Sequence, residues 1–330
     1  MNFSPLVKHR EELNKTKPAL AFNGEDLTAW QTSARAKLIE LIGLENFVAC
    51  DLGFEIVGRV EKDGYTEYEY KIETEKNFFI TSKFLIPTGA VNAPLAISLY
   101  GDNDDLEAAF GKEGFEDRDV CLTLVKKGYA VLALEMRSFG DCPGIASTRV
   151  PKGGNHRVTF NLCYRATMRA NIIGRITVGE RIFDIQRSIQ AIGENFDCID
   201  ASNVTLLGNS GCGTVAFYCA AVDTRIKHVI ASSGIAEWVD SLASAPVCSC
   251  FFIPYIANYF NPSDIAGLIA PRKLDMLSFS SDWWFTTESA TSVFRKASAI
   301  YTAAGNKDGI SLTKLEGEPL LYSSVVSEKI

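Results

Sequence analysis

Ser210 occupies a sequence pattern that is typical of a catalytic nucleophile. Residues 204–214, VTLLGNSGCGT, contain a run of β-branched and aliphatic residues followed by a serine between glycines. The next residues, TVAFYCAAVDTRI, repeat apolar side chains at helical spacing, which indicates a strand that turns abruptly into a helix. Small neighbours permit the strained backbone that lifts a serine hydroxyl above the end of a sheet, an arrangement called a nucleophile elbow.

The turn around Ser210 also predicts part of an oxyanion site. The helix predicted behind Ser210 would add backbone N–H groups, that of Gly211 among them, and a positive dipole end, which favour a developing negative charge. The motif departs from G-x-S-x-G, since Cys212 holds the fifth position and Gly213 follows one residue later. A simpler interpretation is a glycine-rich turn whose serine only caps the helix. Phosphate binding is disfavoured, because neither G-x-G-x-x-G nor G-x-x-x-x-G-K-[ST] occurs at this turn.

Asp282 is the candidate for an acid that would orient a catalytic base. It follows the predicted strand at residues 273–279, KLDMLSF. When catalytic residues occur in the chain order serine, aspartate, histidine, the acid follows a late strand at the edge that carries the serine. The alternative is that Asp282 caps a turn or the next helix, which aspartates after strands frequently do.

The chain has three histidines, so candidates for the base itself are few. His228 falls inside the predicted strand at residues 225–232, where a satisfied core histidine is the favoured interpretation. His156 lies in a segment rich in glycine, proline and polar residues, at residues 137–158. Long loops in compact domains are often functional, so His156 is a candidate base from an unusual position. A solvent-exposed loop histidine is the alternative.

The elements that must position these residues follow from the pattern of the whole chain. Strands alternate with helical segments from residue 94 onwards, which predicts βαβ units and a mostly parallel sheet. Ligands of such sheets bind beyond the carboxyl ends of the strands. Ser210 and the loop after Tyr100 lie at that edge, so Gly101 or Asp102 can supply a second oxyanion N–H.

Two further segments do not belong to this pattern of alternating strands and helices. Residues 1–45 are predicted to be helical and peripheral, because residues 25–44 repeat apolar side chains every three to four positions. Residues 238–260 are unusually apolar and predict the lining of a substrate pocket or a lid. Core packing is the alternative for this second segment.

Composition excludes several classes of function. The 330 residues are 47% hydrophobic and 22% charged, which is typical of a soluble globular protein. A net charge of −7, without a basic stripe interleaved with aromatics, argues against a nucleic-acid partner. No apolar run reaches membrane-spanning length and residues 1–10 lack a signal-peptide core, so we expect a cytoplasmic protein without a membrane partner. Nine scattered cysteines predict reduced core thiols, and we expect neither a metal nor a cofactor.

Together these segments resemble the α/β-hydrolase superfamily, in particular its branch of dienelactone hydrolases and acetyl xylan esterases. The resemblance extends over roughly residues 93–317. It includes the strand that ends in Tyr100-Gly101-Asp102, LEMRSFGD at residues 134–141, which looks like the family's RGFG segment, and GERIFDIQRSIQAI at residues 179–192. It continues through the serine turn, SDIAGLIAPRKL and the turn at Asp282.

This resemblance implies both a fold and a set of site residues. The fold is an α/β-hydrolase domain at residues 46–330, with a mostly parallel central sheet flanked by helices, after an N-terminal helical extension at residues 1–45. Carried over by motif, Ser210 is the nucleophile and Asp282 the acid. The backbone N–H groups of Gly211 and Asp102 form the oxyanion hole.

The resemblance fails at the expected base. The family's histidine follows the last strand in a segment similar to E-G-G-H, and here that segment reads Glu316-Gly317-Glu318-Pro319. No histidine occurs after His228, so the usual order of serine, aspartate and histidine is not completed. Proline has no titratable group, and a carboxylate such as that of Glu318 is a poor base for an alcohol.

Two hypotheses about function follow. The first is a serine hydrolase that acts on a small-molecule ester or an acylated carbohydrate through an acyl-enzyme at Ser210. The second is a protein of the same fold that lacks efficient turnover and serves as a binding or interaction module, including the case of activity lost through an altered C-terminal end. An imidazole within about 3 Å of the Ser210 hydroxyl would favour the first.

Overall fold

The computed structural model describes residues 4–24, 26–100, 106–138 and 162–330. The strands in these residues are β1 (Gly53–Lys62), β2 (Tyr65–Glu75), β3 (Phe78–Pro87), β4 (Ala93–Tyr100), β5 (Ala130–Glu135), β6 (Ile199–Asn209), β7 (Ile226–Ser232), β8 (Lys273–Phe279) and β9 (Ile310–Leu315). The α-helices are α1 (Pro5–Lys15), α2 (Leu27–Leu41), α3 (Val120–Lys126), α4 (Leu162–Ile172), α5 (Thr177–Asn195), α6 (Gly211–Val222), α7 (Ile256–Tyr259), α8 (Pro262–Ile269), α9 (Thr287–Ala303) and α10 (Ser323–Lys329).

All of these strands join one sheet in the order β1-β2-β3-β5-β4-β6-β7-β8-β9. Strand β2 is antiparallel to its neighbours β1 and β3, and β3 is antiparallel to β5. The strands from β5 across to β9 are parallel. The prediction of a mostly parallel sheet flanked by helices is therefore confirmed. The carboxyl ends of its parallel strands share one edge, which is where ligands bind in such sheets.

Burial of the central strands explains their continuous apolar sequences. Parallel strands are covered by helices on both faces, so their residues need not alternate between apolar and polar. In β4, APLAISLY, every residue except Pro94 is buried. Helix α6 is buried along its whole length, and its sequence GCGTVAFYCAAV has no polar face.

The predicted limits of most elements agree closely with the structure. Strand β8 has the predicted limits, β7 begins one residue after its predicted start at residue 225, and α2 lies within the helix predicted at residues 25–44. Differences at helix ends are expected, because helix ends fray. Strand β6 begins at Ile199, five residues before the apolar run that predicted it.

The two N-terminal helices differ in how they attach to the rest of the molecule. Helix α1 has no buried residue, whereas α2 buries Ala34 and Leu38 against the core. From α2, Arg35 also donates hydrogen bonds to the carbonyl oxygens of Ala221 and Leu268. Within the described residues, no helix combines the length and the hydropathy needed to cross a lipid bilayer.

Candidate active site

Ser210 lies at the sharp turn between β6 and α6, as its sequence predicts. Its backbone has φ 51° and ψ −117°, a conformation that a residue with a side chain rarely adopts. The Ser210 N–H donates to the carbonyl oxygen of Ser232 at the end of the neighbouring strand, at 2.7 Å. The carbonyl oxygen of Ser210 accepts from the N–H of Thr214 in the first turn of α6, at 3.0 Å. Backbone hydrogen bonds to two elements therefore hold the strained turn in place.

Three glycines allow backbones to approach closely at this turn. A Cβ atom on Gly208 would lie 2.4 Å from the carbonyl oxygen of Cys212, and one on Gly213 would lie 2.8 Å from that of Ser233. A Cβ atom on Gly234 would lie 2.4 Å from the carbonyl oxygen of Ser210. These contacts explain why the second glycine of the motif stands at position 213 and not at 212. The backbone of Ser233 lies close to Gly213, whereas Cys212 has room for its side chain.

The Ser210 side chain does not cap helix α6, although it is the residue that precedes the helix. The interpretation of this serine as only a helix cap is therefore wrong. Gly211 is the first residue of α6, so its N–H has no acceptor within the helix and points outward at the positive end of the helix dipole. Gly101 and Asp102, the predicted sources of a second oxyanion N–H, lie outside the described residues.

Asp282 is buried in the turn that follows β8, with 9% of its surface exposed. Its Oδ1 atom accepts hydrogen bonds from the N–H groups of Trp284 at 2.9 Å and Phe285 at 3.0 Å. Its Oδ2 atom accepts a short hydrogen bond from the hydroxyl of Ser233. Asp282 thus organises its own turn, as the alternative interpretation predicts, and directs its second oxygen towards the end of β7.

The end of β7 connects the serine turn to the aspartate turn. Ser232 pairs with Asn209, the residue before Ser210, and its carbonyl oxygen accepts from the Ser210 N–H. Ser233 comes next, adopts φ 63°, and donates its hydroxyl to Asp282. The structure therefore brings Ser210 and Asp282 to either side of the same strand end.

The segment after β9 crosses this edge of the sheet. The side-chain amide of Asn209 donates to the carbonyl oxygen of Pro319 at 2.9 Å. The hydroxyl of Ser232 donates to the carbonyl oxygen of Leu320 at 2.7 Å. Position 319, where the family's histidine was expected, is therefore anchored to the residue that precedes Ser210.

The described histidines lie away from Ser210 or on a peripheral helix. His228 is four residues before Ser232 on β7, which places it about 13 Å from the strand end that faces Ser210. It is hydrogen bonded to the Asp275 Oδ2 atom at 2.7 Å, as expected for a satisfied core histidine. His9 is on α1. The candidate base His156 lies outside the described residues.

A buried ion-pair network supports the start of the segment that contains His156. Arg137 donates two hydrogen bonds to the Asp184 carboxylate, at 2.5 and 2.7 Å, and also pairs with Glu75. Burial lowers the pKa of Arg137, but the hydrogen bonds and charge of Asp184 raise it by more, so the pKa is raised overall. This network was not predicted from the sequence, although charged residues on the otherwise apolar face of α5 are a signal for it.

The apolar segment at residues 238–260 forms one side of a groove of about 380 Å³. Helix α1 forms the other side, and neither Ser210 nor Asp282 lines the groove. Part of the same segment packs around Phe251 in a small apolar cluster that includes Phe285. One part of the segment thus lines this groove and another part packs in the core, while the prediction of a substrate pocket or a lid stays a prediction. The residues that line the groove include Leu6, His9, Leu13, Trp238, Leu242 and Tyr255.

Three cysteines form the one group of potential metal ligands found among the described residues. The sulfur atoms of Cys163, Cys248 and Cys250 all lie within 4.8 Å of one another. This group was not predicted from the sequence, because Cys163 is far away in the chain and no local spacing connects it to the Cys-Ser-Cys motif.

Several solved esterase structures are similar to this one. A provisionally assigned acetyl xylan esterase from Bacteroides fragilis NCTC 9343 has a TM-score of 0.75 and 16% identity, covering 95% of this chain and 82% of that one. A glucuronoyl esterase from Solibacter usitatus has a TM-score of 0.68 and 14% identity, covering 96% and 97% of the two chains. At these identities the likeness shows the fold, which is the α/β-hydrolase fold.

One curated protein is similar in sequence. It is YtaP of Bacillus subtilis (strain 168), provisionally named a hydrolase, which is 24% identical over 191 residues. These residues make up 56% of this chain and 57% of YtaP, so the similarity spans little more than half of that protein. No family model matches the chain.

Proposed function

We propose that the protein is a serine esterase that hydrolyses short acyl esters, acetylated carbohydrates among them. The observation that carries the proposal is the strained turn of Ser210 at the start of a buried helix, on the same edge of the sheet as Asp282. A strained conformation held by surrounding backbone contacts is a hallmark of functional residues. The similar structures are named as esterases of xylan acetyl groups and of glucuronoyl esters, which supports a carbohydrate ester as substrate.

In the proposed mechanism, the Ser210 oxygen attacks the acyl carbon and its proton passes to a base. The carbonyl oxygen becomes an oxyanion, which the Gly211 N–H stabilises together with the N–H of Asp102. Collapse of the tetrahedral intermediate expels the alcohol, which takes the proton from the base, and leaves an ester on Ser210. Water activated by the same base then releases the carboxylic acid and restores the serine.

His156 is the proposed base. His228 is held by Asp275 at the other end of β7, and position 319 is a proline, so neither supplies an imidazole to Ser210. Asp282 is proposed to orient His156. A carboxylate offers about four acceptor sites, so the three hydrogen bonds that Asp282 already accepts leave capacity for one more donor.

The test is hydrolysis of p-nitrophenyl acetate and of an acetylated sugar by the wild-type chain and by Ser210→Ala, His156→Ala and Ser202→Ala. Ser202 is an exposed serine at the other end of β6 and serves as the matched control. We expect Ser210→Ala to lose about a thousandfold or more in rate, and His156→Ala to lose a comparable factor. A fluorophosphonate probe is expected to label Ser210. A rate that Ser210→Ala leaves unchanged would exclude the serine mechanism.

A second candidate function is a binding module that keeps the hydrolase fold. The observation that favours it is Pro319, which is anchored beside the serine turn where the resembled family has its histidine. In this case the wild-type chain, Ser210→Ala and His156→Ala would share one background rate, and the probe would label no serine.

A further inference from the structure

The cysteine cluster of Cys163, Cys248 and Cys250 joins two separate parts of the chain. Cys163 is near the beginning of the described part of α4, and the other two flank Ser249 at the short turn of residues 249–251. Cys163 and Cys250 are buried, and Cys248 is half-buried. None of the eight described cysteines forms a disulfide.

The distances suit coordination of one metal ion better than a disulfide. Zinc binds cysteine sulfur at about 2.3 Å, so sulfur ligands at tetrahedral angles lie about 3.8 Å apart. The three sulfur atoms, all within 4.8 Å of one another, need to contract by at most about 1 Å to reach that spacing. A disulfide joins only two sulfur atoms at about 2.05 Å and would leave the third thiol beside it.

A buried arginine supplies the charge and the hydrogen bonds that such a site requires. Arg181 on α5 is 1% exposed. Its guanidinium group donates to the sulfur atoms of Cys250 and Cys163, both at 3.4 Å, and to the carbonyl oxygen of Arg137 at 3.2 Å. Hydrogen bonds to ligand atoms from outside the coordination sphere orient the ligands of metal sites.

We infer that Cys163, Cys248 and Cys250 bind one divalent thiophilic cation, for which zinc is the best match. Three thiolates around a divalent ion carry one net negative charge, and the contacting Arg181 guanidinium offsets it. A monovalent ion such as copper(I) would leave two negative charges against the same guanidinium. Binding forms three metal–sulfur bonds, and any thiol proton still present is released to solvent.

The site would connect the candidate active site to the helices beside it. The turn of residues 249–251 contains Phe251, whose ring lies 5.8 Å from that of Phe285. The N–H of Phe285 in turn donates to Asp282. A metal ion at the cysteine cluster would therefore fix the position of α4, of α5 and of Phe251, which packs against the turn of Asp282. The metal ion would not contact the reacting atoms.

The test is the metal content of the full chain, produced without a polyhistidine tag and purified with its thiols reduced. We expect one zinc ion per chain by mass spectrometry. Cys250→Ser is expected to lose it, while Cys198→Ser, which changes a half-buried cysteine outside the cluster, is expected to keep it. Arg181→Met is expected to weaken zinc binding by about 10- to 100-fold.

Because Cys250→Ser can fail for reasons of folding, the wild-type chain supplies a second measurement. Replacement of zinc by cobalt(II) is expected to produce a thiolate-to-cobalt charge-transfer band, and a strong chelator is expected to lower the midpoint of thermal unfolding. A folded, reduced chain that binds neither zinc nor cobalt would overturn the proposal. A mass decrease that reports a disulfide among the three cysteines of the native chain would overturn it as well.

Discussion

An aspartate lies near each end of strand β8, and the two aspartates have different hydrogen-bond partners. Near its beginning, Asp275 contacts the imidazole of His228 and accepts a short hydrogen bond from the Ser311 hydroxyl. After its end, Asp282 accepts from the Ser233 hydroxyl and two backbone N–H groups, beside the strained turn of Ser210. The first aspartate has an imidazole without a strained nucleophile, and the second has a strained serine nearby without an imidazole among the described residues.

This difference shows that residue types alone do not define a catalytic site. Aspartate, histidine and serine meet at Asp275, but Ser311 lies within strand β9, and its hydroxyl accepts a hydrogen bond from Lys329 in the last turn of α10. At Ser210 the backbone is strained and a buried helix begins at the next residue, so an oxyanion can be stabilised there. This contrast is why we propose that chemistry takes place at the carboxyl edge of the sheet, beside Ser210, and not at Asp275.

The largest expected effect comes from placing an imidazole near Ser210, where the described residues include none. Because the Pro319 carbonyl is held by Asn209, Pro319→His positions a base beside Ser210. In a His156→Ala background, which lacks the proposed base, we expect Pro319→His to raise the rate of p-nitrophenyl acetate hydrolysis by about 100-fold, the lower end of general-base catalysis. The control is Glu318→His, which adds an imidazole at an exposed neighbouring position. If the gain in rate persists after Ser210→Ala, the introduced histidine does not act through Ser210, which would contradict its placement beside that serine.

Gly234→Ala tests how tightly the serine turn is packed. The added Cβ would lie 2.4 Å from the Ser210 carbonyl oxygen, at a residue with φ 84°. Gly305→Ala is the matched control, because Gly305 has φ 76° and nothing within 4 Å of a Cβ. We expect the control to lower the free energy of unfolding by about 1 kcal/mol and Gly234→Ala to lower it by about 3 kcal/mol. Urea denaturation measures both, and equal losses would mean that the turn accommodates a side chain.

Asparagine substitutions separate the roles of the two aspartates. Burial raises the pKa of Asp275, but its hydrogen bonds with His228 and Ser311 lower it by more, to about 2. Asp275→Asn is therefore expected to lower the free energy of unfolding at pH 7 by about 2 kcal/mol, with esterase activity unchanged. Asp282→Asn keeps an oxygen for the two backbone N–H groups and is expected to lower esterase activity by about tenfold or more. If Asp275→Asn lowered esterase activity and Asp282→Asn did not, the catalytic site would instead lie at the Asp275 end of β8.

The smallest expected effect is a dependence of stability on pH at the His228 end. Burial, together with the charges of Lys273 and Lys329, lowers the pKa of His228 from 6.5 by more than Asp275 raises it, so the folded protein favours neutral imidazole. The unfolded chain then binds more protons below pH 6.5, and the free energy of unfolding falls as pH decreases from there. The slope is at most about 1.4 kcal/mol per pH unit. Denaturation between pH 5 and 8 should show this slope in the wild-type chain and not in His228→Gln.

Much of this architecture is predictable from the sequence, because it depends on local patterns. The period of apolar residues predicted the alternating strands and helices, and β8 has the predicted limits. The glycine-flanked serine between a strand and a helix predicted the turn, since only small residues permit such close backbone contacts. Because β6, β7 and β8 are parallel neighbours in the sheet, the placement of Ser210 and Asp282 at one edge follows from chain order.

What the sequence did not predict depends on contacts between residues that are distant in the chain. The hydrogen bond from Ser233 to Asp282, the anchoring of Pro319 by Asn209 and the approach of Cys163 to Cys248 and Cys250 have no local signal. The sequence by itself determined which elements form and at which edge of the sheet the serine lies. Only the tertiary structure decided which side chains meet there, because side-chain partners depend on how separate segments pack against one another.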